Sequence, residues 1–276
     1  MKRVSRTAGY TLVELLIAVV IAGLIGVAIL GVYKVSQDTY VRASSLEAAQ
    51  LGVRAGLDRM ANELRLIGSY WVGATDAGNA ITAATPTSIT FMANVDDLSM
   101  TGNPHAQAPE ALVANGLTAT GTSVPLSLTA TATADAFRVY ADTTLNDYIY
   151  IANGARREVK QITGTVLDST TLPLASPLRW SPYPAGSIVR DVKRITYTRN
   201  AANNTLTRSQ GGSGAIALVD NVSALTFTYF DAAGADLGAT PLVANIREIR
   251  IDLTVQNPDL NARRMTTRVR PRNLPS

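Results

Sequence analysis

The most conspicuous chemical group near the start of the chain is the carboxylate of Glu14, which lies at the head of a long apolar run. Leu15 to Tyr33 contain no charged residue. An ionised carboxylate in the centre of a membrane helix costs about 2.5–3.5 kcal/mol, and less near the interface. Because a charge kept in such a place marks a functional position by default, Glu14 is a candidate site residue.

Groups suited to catalysis are sparse in this sequence. His105 is the only histidine, it lies in the loop Asn103-Pro104-His105, and the chain has no cysteine. A second histidine for a metal site and a thiol nucleophile are therefore lacking. The run Gly211-Gly212-Ser213-Gly214-Ala215 lacks the last glycine of a nucleophile elbow, and there is no phosphate-binding loop. We predict a non-enzymatic protein without a cofactor.

Two acidic groups offer oxygen ligands for calcium. They are Asp96-Asp97, and Asp142 with Asn146-Asp147. Neither group has the spacing of an EF-hand loop. Solvated turns are the better interpretation, and calcium binding stays as the alternative.

A set of arginines shares one parity on the last strand and tail, namely Arg264, Arg268, Arg270 and Arg272. Such a face can hold nucleic-acid phosphates. It also fits a charged edge strand that discourages aggregation. We favour the edge strand, because no aromatic residues alternate with the arginines as stacking platforms.

The basic balance of the chain comes mostly from its first nine residues. The whole chain has 25 Lys and Arg against 21 Asp and Glu, and Lys2, Arg3 and Arg6 lie in this segment. Without the segment the count is 22 against 21, so a nucleic-acid partner is not indicated by net charge. The three basic residues instead predict a cytoplasmic N-terminus before a membrane-spanning helix.

Two ordinary interpretations of the apolar run compete with a specialised one. A secretory signal would end in a small-residue cleavage site, which Gly31-Val32-Tyr33-Lys34 does not provide. A plain signal anchor fits the hydropathy but does not explain Glu14. The order of residues from Gly9 to Ala18, Gly-Tyr-Thr-Leu-Val-Glu-Leu-Leu-Ile-Ala, resembles the signature of type IV pilins and pseudopilins.

This resemblance implies a processing pathway. A membrane peptidase would cut after Gly9, the new terminal residue Tyr10 would be N-methylated, and Glu14 would occupy the glutamate position of the family. The α-amine released by cleavage has a pKa near 8 and is largely cationic at neutral pH. We expect Glu14 to pair with such an amine on a neighbouring subunit, since an unpaired carboxylate in an apolar filament core is costly.

The pattern predicts that the helix continues beyond the apolar run, from Tyr10 to Ile67. Apolar residues recur at steps of three and four, which is typical of an amphipathic helix: Leu46, Ala49, Val53, Leu57, Met60, Leu64 and Ile67. Gly68 offers a stop. We therefore expect a leader over residues 1–9, a membrane or filament-core half over 10–33 and an amphipathic half over 34–67.

Residues 68–276 are predicted to form a β-rich domain, so that the fold class is α+β with a pilin-like long helix on a mostly antiparallel sheet. The expected strands are Ser88–Ala93, Phe137–Tyr140, Tyr148–Ala152, Glu158–Ile162, Ile188–Thr198, Val222–Phe230, Ile246–Val255 and Arg264–Arg270. Residues 73–134 are interpreted as a loop-rich insertion, with one long loop over 96–121.

The C-terminal third extends the resemblance to larger minor pilins of the PilW type, and it is similar to the J-type pseudopilin of type II secretion. The segments that carry it are Thr205–Arg208, Val219–Asp231, Ile246–Ile251 and Val269–Leu274. The resemblance implies a minor pilin that initiates or caps a type IV pilus. Its partners would be other pilins, the prepilin peptidase and the inner-membrane assembly machinery. A type II secretion pseudopilin and a tip adhesin or DNA-binding module remain alternatives.

Overall fold

The structure is a computed structural model. It describes residues 11–69, 80–95, 110–114, 122–127, 137, 148–154, 156–163, 170–180, 182–211, 214–256 and 262–274, apart from the side chains of 45, 46, 48, 49, 110, 111, 126 and 127. The chain separates into two compact units, residues 1–51 and 52–276. The first unit holds most of a long helix, and the second holds the end of that helix together with two antiparallel sheets.

The helix, α1, runs from Leu12 to Arg65. At its end the backbone tightens, because Leu66 and Ile67 donate their N–H groups to carbonyls three residues back, at 3.0 and 3.3 Å. Gly68 then adopts a φ of 73°, which glycine reaches at little cost. The predicted helix and its stop are confirmed, except that the predicted start at Tyr10 lies outside the described residues. The helix contains no proline.

The apolar stripe of the amphipathic segment enters the main core. Val53, Leu57, Met60, Leu64 and Ile67 are all buried, as their spacing predicts. They pack with apolar side chains from both sheets, among them Phe91, Tyr197, Phe227, Tyr229 and Ile249. Burial of this stripe fastens the end of α1 to the β domain through the hydrophobic effect.

The larger sheet is built around one long strand, β8. Its strands are β1 Ile81–Thr85, β2 Ser88–Ala93, β3 Glu110–Val113, β4 Ser123–Ser127, β5 Tyr148–Asn153, β6 Arg156–Gln161, β7 Thr171–Pro173, β8 Ile188–Asn200, β9 Thr205–Gln210 and β10 Ile216–Val219. Residues 188–192 of β8 pair with β3 and β5, whereas residues 193–200 pair with β2 and β9. The described pairs are all antiparallel, so β8 joins two halves of one sheet.

The smaller sheet contains β11 Val222–Phe230, β12 Glu248–Val255 and β13 Arg263–Val269, in that order. A short 3-10 helix, Val243–Asn245, precedes β12. On one face, Leu225, Phe227, Ile249, Ile251 and Leu253 alternate with polar neighbours and are buried in the main core. This alternation confirms the half-buried antiparallel strands that the sequence predicted.

The structure corrects the sequence interpretation of residues 73–134. A single strand was expected there, but β1, β3 and β4 are also present, and β3 lies inside the predicted loop 96–121. Their own patterns are weak, because β1 is rich in Ala and Thr, β3 has only four residues and β4 contains Pro125. They form because neighbouring strands supply their hydrogen bonds, as the N-terminal half of β8 does for β3.

Other predictions in the β domain have mixed outcomes. Six predicted strands are confirmed, each end within two residues of its predicted position: 148–152, 158–162, 188–198, 222–230, 246–255 and 264–270. Of the predicted strand 137–140, only Phe137 lies in the described residues, and it belongs to a 3-10 turn and not to a strand. Phe137 is buried in a second core with Ile149, Leu178 and Tyr183.

Candidate functional site

Glu14 caps the first turn of α1. Its Oε2 accepts hydrogen bonds from the backbone N–H and from the hydroxyl of Thr11, both at 3.0 Å. In return, the N–H of Glu14 donates to Thr11 Oγ1 at 3.3 Å. This reciprocal arrangement is a capping box, in which both side chains satisfy backbone donors that the helix itself leaves free. Gly9 and Tyr10, the other two predicted site residues, lie outside the described residues.

The capping role of Glu14 was missed at the sequence level although its signal is present. Thr11 and Glu14 have the spacing of a capping box directly before an apolar run. The negative side chain in the first turn also interacts favourably with the helix dipole. Both Thr11 bonds use Oε2, so this local role leaves the second carboxylate oxygen outside the cap.

The segment of α1 from Leu15 to Tyr33 is apolar on all sides. Leu12–Ser44 is long and apolar enough to cross a membrane, and none of the tested window is buried. Large side chains such as Leu24, Val27 and Val32 are about 70% exposed. A helix that is apolar all round requires lipid or neighbouring helices as its surroundings.

At the other end of α1, Glu63 forms a buried ion pair between the helix and the larger sheet. The Nε of Arg208 on β9 donates to both Glu63 oxygens, at 3.1 and 2.9 Å, and the Tyr197 hydroxyl donates to Oε2 at 2.7 Å. Arg208 also donates to Gln210 at 2.7 Å. Burial, reinforced by the Glu63 charge, raises the pKa of Tyr197, so its hydroxyl remains a donor.

A glycine brings α1 close to β10. Gly56 is buried, and a Cβ placed there would overlap the Cγ2 of Val219. No larger residue fits at this crossing without a shift of the strand or of the valine. The helix end is therefore positioned by a close backbone approach, an ion pair and the apolar stripe together.

Three of the four arginines of the predicted face are paired with acidic residues, whereas the backbone N–H of the fourth, Arg272, donates to the carbonyl of Arg65 at 3.3 Å. Arg268 and Arg270 lie 2.9 and 3.3 Å from Glu248, and Arg264 lies 2.9 Å from Asp252. Burial acts to raise the pKa of Asp252, but hydrogen bonds from Thr266 and Arg264 and the nearby charges outweigh it and lower the pKa. These bonds tie the exposed edge strand β13 to β12, as expected of a charged edge.

An aromatic residue lies on the same face, which the sequence interpretation overlooked. The guanidinium carbons of Arg250 and Arg268 lie 5.6 and 5.2 Å from the ring centre of Phe230. Phe230 ends β11, and its distance along the chain from Arg268 concealed the contact. The ring is thus engaged by cations of this sheet, which stabilises the face by cation–π attraction.

The calcium candidates Asp96-Asp97, Asp142 and Asn146-Asp147, together with His105, lie outside the described residues. Within the part of the chain that is described, no group of three or more His, Cys, Asp or Glu side chains could hold a metal ion. Calcium binding stays a prediction for those loops.

Comparison with known proteins identifies the first segment of the chain. Residues 4–30 match the prokaryotic N-terminal methylation motif, a range that includes Gly9, Tyr10 and Glu14. The N-terminal segment is type IV pilin-like. The match supports a role related to type IV pilins or pseudopilins, and it implies a prepilin peptidase, pilin partners and anchoring by the apolar helix. No curated protein and no solved structure matches the chain.

Proposed function

We propose that this protein is a minor pilin that helps to initiate or cap a type IV pilus, and that its role is structural and not enzymatic. The observation that carries the proposal is the methylation motif at residues 4–30, followed by an exposed apolar helix and a β domain that buries the helix end. The minor-pilin assignment itself rests on the resemblance of the C-terminal strands to the PilW type.

In this proposal the precursor spans the inner membrane once, with residues 1–9 in the cytoplasm. Cleavage after Gly9 frees the amine of Tyr10, which is methylated, and the helix then moves into the filament core. The capping box supports the assembly step of this proposal, because it keeps the Glu14 carboxylate at a defined place in the first turn of α1. From this position the carboxylate can attract the amine of a neighbouring subunit while the first turn of its own helix stays capped.

Mass spectrometry of the protein from isolated filaments tests the proposal. We expect the chain to be present, to begin at Tyr10 and to carry one N-terminal methyl group. Protein from cells without the prepilin peptidase is the control, and it should retain Met1 or Lys2 through Gly9. A chain that keeps its leader in wild-type cells, or that is absent from filaments, contradicts the proposal.

The same segment suits a type II secretion pseudopilin, which is the alternative. Deletion of the gene separates the two, because a minor pilin predicts loss of surface pili while secreted enzymes are still exported. The reverse result assigns the protein to secretion. A DNA-binding module is less favoured, since Arg264, Arg268 and Arg270 already have acidic partners. Absence of salt-dependent DNA binding by residues 34–276 would exclude that module.

A further inference from the structure

An exposed tryptophan lies on a bend between β7 and β8. Trp180 is 48% exposed, and the guanidinium carbon of its neighbour Arg179 lies 5.0 Å from the centre of its ring. Single exposed apolar side chains are common and need no explanation by themselves. This one differs because buried and charged groups hold the bend that presents it.

Glu158 on β6 holds the backbone of the bend in place through hydrogen bonds. Its carboxylate accepts hydrogen bonds from the backbone N–H of Arg179, at 3.0 and 2.9 Å, and of Trp180, at 3.0 Å. The Tyr183 hydroxyl donates to it at 3.2 Å, and Lys160 Nζ lies 3.1 Å away. Only 8% of the Glu158 side chain is exposed. Hydrogen bonds to a buried carboxylate are stronger than those between neutral groups, so Arg179 and Trp180 are held in one backbone conformation.

The flanks of the bend are fixed as well. Leu178 before it and Tyr183 after it are buried in the second core. The guanidinium of Arg156 donates to the Pro182 carbonyl at 2.7 Å, and Lys160 donates to the Pro177 carbonyl. Arg156, Glu158 and Lys160 alternate along β6 and share one face. One whole face of an edge strand is therefore used to hold this segment.

Such rigidity lowers the entropy lost when a surface binds a partner. Trp and Arg, together with Tyr, are enriched among the residues that dominate protein–protein binding energy. We propose that Arg179 and Trp180 form a preorganised contact site for a second protein. That the second protein is a pilin-like subunit of the same filament rests on the proposed function.

The charges of the site define the chemistry of the partner. The exposed charged residues at the bend, Arg156 and Arg179, are both cationic, while the anionic Glu158 is buried and occupied. The matching surface presents a carboxylate for the Arg179 guanidinium and an apolar group for the indole ring. The site thus fits an acidic protein segment with an adjoining apolar side chain.

A photoreactive phenylalanine in place of Trp180 tests this in the cells that make the full chain. The same group at Leu242, which is 65% exposed, is the control for chance contacts. We expect adducts at 180 to map to a segment of another protein that is rich in Asp or Glu. In the chain with the group at 180, Arg179→Glu should lower the adduct yield about tenfold, as expected for the loss of one charge pair. Leu242→Glu should leave the yield unchanged.

Adducts at 180 no more abundant than those at 242, or adducts to a saccharide alone, would overturn the proposal. Thermal unfolding of Trp180→Ala should match that of the wild type, which separates loss of contact from loss of fold. The same samples report whether the leader is removed and whether the chain enters filaments. If it does not enter filaments, the minor-pilin proposal fails, whereas an adduct to an acidic segment of any other protein still supports the contact site.

Discussion

Glu14 has a local role in the structure and a proposed role in assembly, and two substitutions separate them. Glutamine at this position keeps the oxygen that caps Thr11 but removes the charge. We therefore expect Glu14→Gln to keep the helix start and to lose most co-assembly with other pilins. Quantifying the chain in isolated filaments measures the effect.

The matched variant is Thr11→Ala, which removes the hydroxyl that caps the N–H of Glu14 and keeps the charge. Loss of such a cap costs about 0.5–2 kcal/mol of local helix stability. If the charge is what assembly requires, this variant should still enter filaments. The opposite pattern, with Glu14→Gln assembling and Thr11→Ala failing, would assign the role to the helix cap.

Gly56 gives a second prediction about a single residue. An alanine in a helix interior usually stabilises it by about 0.5–1 kcal/mol relative to glycine. Here the added Cβ overlaps Val219, and overpacking costs about 1–3 kcal/mol. Gly56→Ala should therefore destabilise the domain, whereas Gly52→Ala, which meets nothing within 4 Å, should not. Denaturant unfolding of both variants measures the difference, and Val219→Ala should rescue the first.

Among the contacts between elements, the ion pair of Glu63 and Arg208 joins α1 to β9. Removing one partner of a buried pair costs about 3–5 kcal/mol, because the other charge is left without compensation. We expect Glu63→Leu to fall in this range and Glu63→Leu with Arg208→Met to cost less than the sum of the two single changes. A double-mutant cycle of unfolding free energies measures the coupling.

Arg59 provides the control for this cycle. Its Nε lies 3.2 Å from Glu63, but 41% of its side chain is exposed. Exposed pairs contribute about 0–1 kcal/mol, so Arg59→Ala should change stability little. Equal effects of Arg59→Ala and Glu63→Leu would show that burial does not determine the strength of this contact.

The local sequence pattern was sufficient to predict some secondary-structure elements and insufficient to predict others. The apolar stripe of α1 and the alternation of β11 and β12 are strong signals, because each of these elements buries one face. The strands β1, β3 and β4 have weak patterns of their own and depend on strands far along the chain. Their formation is decided by pairing, which a local reading of the sequence does not contain.

The same distinction holds for the sites. The capping box of Glu14 lies within four residues and was readable from spacing, although it was missed. The contact of Glu63 with Arg208 spans 145 residues, and Glu158 reaches the bend at Arg179 across 21. Nothing in the sequence marks these side chains as partners until the sheet is formed. The weight given to Trp180 therefore comes from the structure alone.

On the scale of the whole molecule, apolar residues lie in two different environments. Those of the core clusters lie in residues 53–269, within the second unit. The large apolar side chains of Leu12–Ser44 are exposed in the part of the chain that the structure describes. The first set stabilises a domain, and the second set calls for lipid or other subunits.

This division predicts how the protein responds to truncation. A fragment of residues 34–276 keeps the described core, so it should be soluble and unfold cooperatively, while the full chain should need detergent. A fragment of residues 70–276 should aggregate or unfold, because it lacks five side chains that are buried in the main core, Val53, Leu57, Met60, Leu64 and Ile67. Gel filtration and circular dichroism of the two fragments provide the measurement. If residues 70–276 were as stable as residues 34–276, the end of α1 would not be part of the folded domain.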